Sequence, residues 1–136
     1  MADTFNTFKA AYGGDTTVTG FIQPEQALII ACSDEATDLT TGTGKVQFRI
    51  PYDFKVDKLK ACVNTAPTGA DIVVSAVTGS TTIGTVTIGV TTKTSSTTVN
   101  QQLADDAEIS INVTQVGSTI PGNGLKLTLI GRKQSA

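Results

Sequence analysis

Two segments, Glu108-Ile-Ser-Ile-Asn-Val-Thr-Gln-Val116 and Leu125-Lys-Leu-Thr-Leu-Ile-Gly131, decide the fold because both alternate apolar with polar residues. Successive side chains of a β-strand point to opposite faces, so each apolar set belongs to one face. We therefore predict two strands whose apolar side chains form the core: Ile109, Ile111 and Val113 in the first, and Leu125, Leu127 and Leu129 in the second.

Six further segments are rich in Val, Ile, Leu or Thr and are bounded by turn residues, which is typical of strands. They cover residues 27–33, 45–50, 58–64, 71–77, 81–90 and 97–101. About eight strands at this spacing predict an all-β fold, an antiparallel β-sandwich of the jelly-roll kind.

Three connectors have the chemistry of specific turns. Ala66-Pro-Thr-Gly69 combines a preset φ with a glycine, Thr78-Gly-Ser80 has the length of a hairpin loop, and Pro121-Gly-Asn-Gly124 is a third turn. We expect the strands on either side of each turn to be antiparallel neighbours.

The length and composition of the chain limit its possible domain organisation and partners. A chain of 136 residues is most simply one domain, which we place at residues 27–136, preceded by an arm at residues 1–26. The formal charge of −2 gives no basic field for nucleic acid, and no apolar run is long enough to span a bilayer. We expect neither nucleic acid nor a membrane as a partner, and synthesis in the cytoplasm of the host cell.

The arm has an unusual composition. It carries four of the seven aromatic residues but few aliphatic ones. Phe5, Phe8 and Tyr12 have the spacing of one helical face, which predicts an extended or partly helical arm. Either its aromatic rings bind a partner or they cover one end of the sandwich. As candidate partner-binding residues we take Phe5, Phe8, Tyr12 and Phe21.

Catalytic chemistry has little support in the sequence. The chain has no histidine, and no serine or cysteine motif supplies a nucleophile with a base. Paired carboxylates such as Asp34-Glu35 and Asp105-Asp106 are typical of solvated turns, and none has the spacing of a calcium loop. We expect no enzyme activity, no catalytic residue, no metal and no cofactor. Cys32 and Cys62 lie in apolar runs and are predicted to be buried free thiols.

One resemblance adds to these expectations. The block Ile50-Pro-Tyr-Asp-Phe-Lys-Val56, the turn Asn64-Thr-Ala-Pro-Thr-Gly69 and the segment Leu103-Ala-Asp-Asp-Ala-Glu108 resemble a β-sandwich domain of tailed-bacteriophage virion proteins. That family consists of structural modules of capsid decoration, tail and fibre proteins.

The resemblance implies a function by adhesion. We expect a capsid decoration (cement) protein on the surface of the virion, a homotrimer that binds the major capsid protein and stabilises its lattice. The alternative is a tail- or fibre-associated module that binds a receptor or a glycan on the host.

Overall fold

A computed structural model describes residues 24–134, and all of its regular elements are β-strands. Among the described residues there is no helix, which confirms the predicted all-β class. All eight predicted strands are present, with shifted bounds. They are β1 (Glu25–Ala31), β2 (Gly42–Arg49), β3 (Phe54–Cys62), β4 (Ile72–Thr78), β5 (Thr81–Ile88), β6 (Thr94–Leu103), β7 (Glu108–Gln115) and β8 (Lys126–Lys133).

The strands form two four-stranded antiparallel sheets. The first has the order β1-β8-β3-β6 and the second the order β2-β7-β4-β5. Strands that follow each other in sequence mostly alternate between the sheets, which is the connectivity of a jelly roll. The predicted β-sandwich is thus confirmed.

The core lies between the two sheets. Every side chain that the alternation of β7 and β8 predicts to be internal is at most 1% exposed. The opposite strands supply matching apolar rows, since inward positions in β3, β4 and β5 are also buried. The largest buried side chains include Ile50, Phe54, Leu59, Ile72, Ile88 and Leu103.

One of the three predicted turns joins neighbouring strands and two do not. Gly79 and Ser80 close the β4–β5 hairpin, with Gly79 at a φ of 59°, where a glycine is favoured. The turn at 66–69 instead carries the chain from β3 in the first sheet to β4 in the second, and the turn at 121–124 carries it from β7 to β8. Those two expectations were wrong because a turn sequence reverses the chain locally but does not select the sheet in which it continues.

The two long sides of the sandwich differ. On one side β5 packs against β6 and β3. Gly84 allows this approach, because a Cβ at that position would lie 2.5 Å from Val99 Cγ1. On the other side no Cα of β1 lies within 8 Å of a Cα of β2, both strands being fully described. β5 and β6 therefore lie close together, whereas β1 and β2 lie farther apart and their inward apolar side chains are only partly buried. We call the first the closed side and the second the open side.

We expect Leu127→Ala to lower the free energy of unfolding by about 2–5 kcal/mol, because it removes a fully buried side chain and leaves a cavity. Thr128→Ala, on the outer face of the same strand, serves as the control and should cost less than about 1 kcal/mol. Urea denaturation of both variants measures the difference. Equal losses in the two variants would contradict the assignment of the faces.

Candidate interaction surface

The outer face of the first sheet gathers basic side chains from two strands that are distant in sequence. β3 and β8 are neighbours with Lys55 opposite Arg132 and Cys62 opposite Lys126. Side chains opposite each other in this register share a face. We call this outer face the basic face; its cations are Lys55, Lys58, Lys60, Lys126 and Arg132.

A β-bulge in β3 is what brings the three lysines of that strand together. Regular alternation would put Lys55 and Lys58 on opposite faces, because they are three residues apart. The register of β3 shifts between Val56 and Lys58 against both of its neighbours. One extra residue at this point restores Leu59 to the core and turns Lys58 outward.

Two acidic residues pair with lysines of the basic face. Asp57 Oδ1 lies 3.4 Å from Lys55 Nζ, and Glu35 Oε2 lies 2.5 Å from Lys126 Nζ. Hydrogen bonds from Lys126 and then from the Asn64 side-chain amide hold the pKa of the Glu35 carboxyl below its usual value. The contacts of Glu35 fix the connector after β1 to the rim of the face. Within residues 24–134, Lys58 and Lys60 form no ion pair.

The basic face also has an apolar part along β1. Ala27 and Ile29 stand opposite Ile130 and Thr128 of β8, and the Ile29 side chain is 68% exposed. Next to them lies a hollow of about 310 Å³, lined by Lys60, Ala61, Cys62, Thr94, Thr128 and Ile130. An exposed apolar strip beside charged side chains is typical of interaction surfaces.

The predicted state of the two cysteines is only partly right. Both are free thiols among the described residues, and Cys32 is buried as predicted. Cys62 is only partly buried, because it alternates with the buried Ala61 and Val63 and therefore points out onto the basic face. An apolar run in the sequence did not show which of its residues would face outward.

The outer face of the second sheet is a useful contrast. Its outward positions carry mainly hydroxyl and amide side chains. They include Gln47, Ser75, Thr82, Thr85, Thr87, Ser110 and Asn112. The charged pair Arg49 and Glu108 lies at one end of this face. The two outer faces thus differ in charge although the chain is nearly neutral.

The predicted partner-binding residues Phe5, Phe8, Tyr12 and Phe21 lie outside the described residues, as does the predicted arm up to residue 23. The sequence interpretation missed the basic face. Its signal was present as Lys and Arg residues that alternate with buried residues in β3 and β8, but only the long-range pairing of those strands shows that these cations are neighbours.

The carboxylate pairs have structural contacts in the turns. Asp34 Oδ1 accepts hydrogen bonds from the backbone N–H groups of Ala36 and Thr37, which lowers the pKa of its carboxyl, and Asp53 Oδ1 accepts one from Asp105 N–H. Within residues 24–134 no three His, Cys, Asp or Glu side chains are grouped so that they could hold a metal ion. The same residues contain no helix long and apolar enough to cross a membrane.

No protein-family model matches the chain, and no curated protein matches it either. Solved structures with weak similarity include CsCBM6-3 from Clostridium stercorarium in complex with cellobiose, at 16% identity and a TM-score of 0.41, over 65% of this chain and 66% of that chain. The Drosophila NLP core matches at 12% identity and a TM-score of 0.45, over 82% of this chain and 100% of that chain.

A chain of the T13 viral particle of IBDV matches at 12% identity and a TM-score of 0.31, over 80% of this chain and 31% of that chain. The chain thus has weak structural similarity to a viral capsid protein and to a carbohydrate-bound module. Such similarities reflect the sandwich fold alone, and a fold shared by many functions does not assign one.

The buried Cys32 thiol predicts a pH dependence of stability. Burial raises the pKa of Cys32 from 9.0 to about 11, against the opposing effect of the Leu127 backbone N–H. The folded protein therefore holds this proton more tightly than the unfolded chain, so the resulting stability is present below about pH 9 and is lost as the pH rises toward about 11.

Urea denaturation at about pH 8 and about pH 10.5 measures this loss. Cys32→Ala lacks the thiol and should show a smaller fall in unfolding free energy between the two pH values. An equal fall in both proteins would mean that Cys32 does not contribute to it.

Proposed function

We propose that this protein is a structural protein of a bacteriophage virion, a capsid decoration protein that forms a homotrimer and binds the major capsid protein. The observation that carries this proposal is the basic face with its exposed apolar strip, which is a surface suited to adhesion. The sequence resemblance to phage virion domains supplies the context.

The chemistry of the basic face defines the surface that it would bind. Exposed Ile29 and the neighbouring hollow offer an apolar contact, and Lys58 and Lys60 lie beside it. A partner with an apolar centre and acidic residues around it is complementary to this arrangement. We propose that the lattice of the major capsid protein presents such a surface on the outside of the particle.

Trimerisation would strengthen the binding without a tight single contact. Three linked copies engage repeated capsid sites together, so that the second and third contacts form at a high effective concentration. In this proposal the protein acts by adhesion and not as an enzyme. The predicted arm residues Phe5, Phe8, Tyr12 and Phe21 would supply further contacts, either to the capsid directly or to a neighbouring copy in the trimer that binds it.

A matched pair of double variants tests the basic face. Ile29→Ser with Lys60→Thr removes one exposed aliphatic side chain and one exposed cation from the basic face. Val90→Ser with Arg49→Thr removes the same two kinds of side chain elsewhere. The measurement is stoichiometric binding of each purified variant to undecorated capsids.

We expect the first double variant to weaken capsid binding by about tenfold or more, about 1.4 kcal/mol, and the control to bind like the parent protein. Equal binding by both variants would exclude the basic face. If the parent protein does not bind capsids but adsorbs to host cells, the alternative function as a tail or fibre module is correct. Binding of the parent protein to nucleic acid through the basic face would contradict both the capsid and the tail or fibre function.

A second experiment tests the arm. Phe5→Ala together with Phe8→Ala should weaken particle binding by about 2–4 kcal/mol, since aromatic anchors dominate many interfaces. The stability of the sandwich should not change. A double variant that binds capsids fully but unfolds more easily would show that these rings belong to the core.

A further inference from the structure

The open side of the sandwich exposes apolar side chains that belong to the inner faces of the sheets. Leu28 and Ile30 on β1 point inward, opposite Leu129 and Leu127 of β8. On β2, Val46 and Phe48 point inward in the same way, opposite Ile111 and Ile109 of β7. All four are only partly buried, although they pack against the core. On the closed side the inward residues Ile83, Val86 and Ile88 of β5 are at most 6% exposed, and of the apolar inward residues of β6 only Val99 is partly buried.

Both strands at this opening are edges of their sheets. Among the described residues β1 pairs with β8 alone, and β2 pairs with β7 alone. The outward backbone groups of an edge strand are a template for another strand unless the edge is protected. β1 has the sequence Glu25-Gln-Ala-Leu-Ile-Ile-Ala31, which contains no lysine, no proline and only one charge. It is thus an apolar edge without the usual protection.

The two ends of this groove differ. At one end the Tyr52 hydroxyl donates a hydrogen bond of 2.5 Å to Gln26 Oε1, which links β1 to the connector after β2. At the other end lies a hollow of about 240 Å³, lined by Cys32, Ser33, Asp34, Thr37, Asp38, Leu39, Thr40 and Lys45. The groove is therefore bridged by a hydrogen bond where β1 begins, and where β1 ends the connector from β1 to β2 lines a hollow.

We propose that residues 1–23 of a second copy of this chain dock in the groove between β1 and β2, adding an extended segment to the edge of β1. The sequence of this segment fits such a groove, because it carries aromatic residues but few aliphatic ones with which to form a core. Its length also fits. Seven residues span the groove beside β1, at roughly 3.3 Å per residue, and 23 residues leave enough chain to reach from a neighbouring copy.

The exit of the chain from β1 favours a second copy over the same chain. Residues 1–23 precede β1 in the chain, so to lie beside β1 of their own copy they would have to turn back at the Tyr52–Gln26 bridge. The segment of a neighbouring copy needs no such reversal.

The docked segment and the groove are different surfaces, so copies can exchange segments reciprocally in a dimer or pass them on in a ring or an open chain. The homotrimer of the proposed function corresponds to a closed ring of three copies, and the number three rests on that proposed function. The docking itself does not depend on capsid binding.

A tryptophan reporter in the full-length chain tests the docking. The parent protein has no tryptophan, so Phe8→Trp introduces a single fluorophore whose emission shifts to the blue when the indole is buried. Val46→Asp, in a chain without tryptophan, places a charge in the groove. The Phe8→Trp chain is co-expressed with a large excess either of Val46→Asp or of the parent chain, and mixed assemblies are isolated.

We expect blue-shifted emission when the excess copies are parental, because the segment with Phe8→Trp docks in the intact groove of a neighbour. When the excess copies carry Val46→Asp, the neighbouring groove contains a charge, the segment does not dock, and the emission should be that of an indole in solvent. Blue-shifted emission in both mixtures would show that the segment occupies its own groove or another surface. Solvent-like emission in both, or a monomer by light scattering, would also overturn the proposal.

The folding of Val46→Asp is checked by circular dichroism, and Ile30→Ser replaces it should it fail to fold. The readout requires no capsids. A negative result here therefore leaves capsid binding by the basic face open, and a failure to bind capsids leaves this docking open.

Discussion

The rest of the structure depends on the packing of two apolar rows that lie close in sequence but in different sheets. Ile109, Ile111 and Val113 of β7 and Leu127 and Leu129 of β8 are at most 1% exposed. Each of these strands has neighbours on both sides, so each row lies within its sheet and away from the edges. β7 and β8 lie in different sheets, so the chain crosses between the sheets at residues 116–125 and both rows point into the core between them. This crossing is one of several that together give the jelly-roll order.

The bulge in β3 connects the core to the surface. Without an extra residue near Asp57, either Val56 or Leu59 would leave the core, since they are three positions apart. Both are fully buried. The same extra residue places Lys58 on the face of Lys55 and Lys60, so the packing of two apolar side chains also brings three lysines together on the outer face.

The functional proposals rest on two adjoining surfaces that meet at β1. The outward side chains of this strand contribute Ile29 to the basic face, and its inward side chains contribute Leu28 and Ile30 to the open groove. On the closed side Gly84 allows β5 to approach β6, and the inward apolar residues of β5 are buried there. In the proposed function these two surfaces are the sites of adhesion.

The sequence by itself determined the all-β class, the existence of the eight strands, the inward rows of β7 and β8, and the hairpin at Gly79, because alternation and turn chemistry are local. It did not determine that the turns at 66–69 and 121–124 lead into the other sheet, that Cys62 faces outward, or that the lysines of β3 lie beside Lys126 and Arg132. Each of these depends on strand pairing over long distances, and in β3 on a one-residue shift in register. Only the tertiary structure decides them, since a local pattern defines the two faces of a strand but not the neighbours that each face meets.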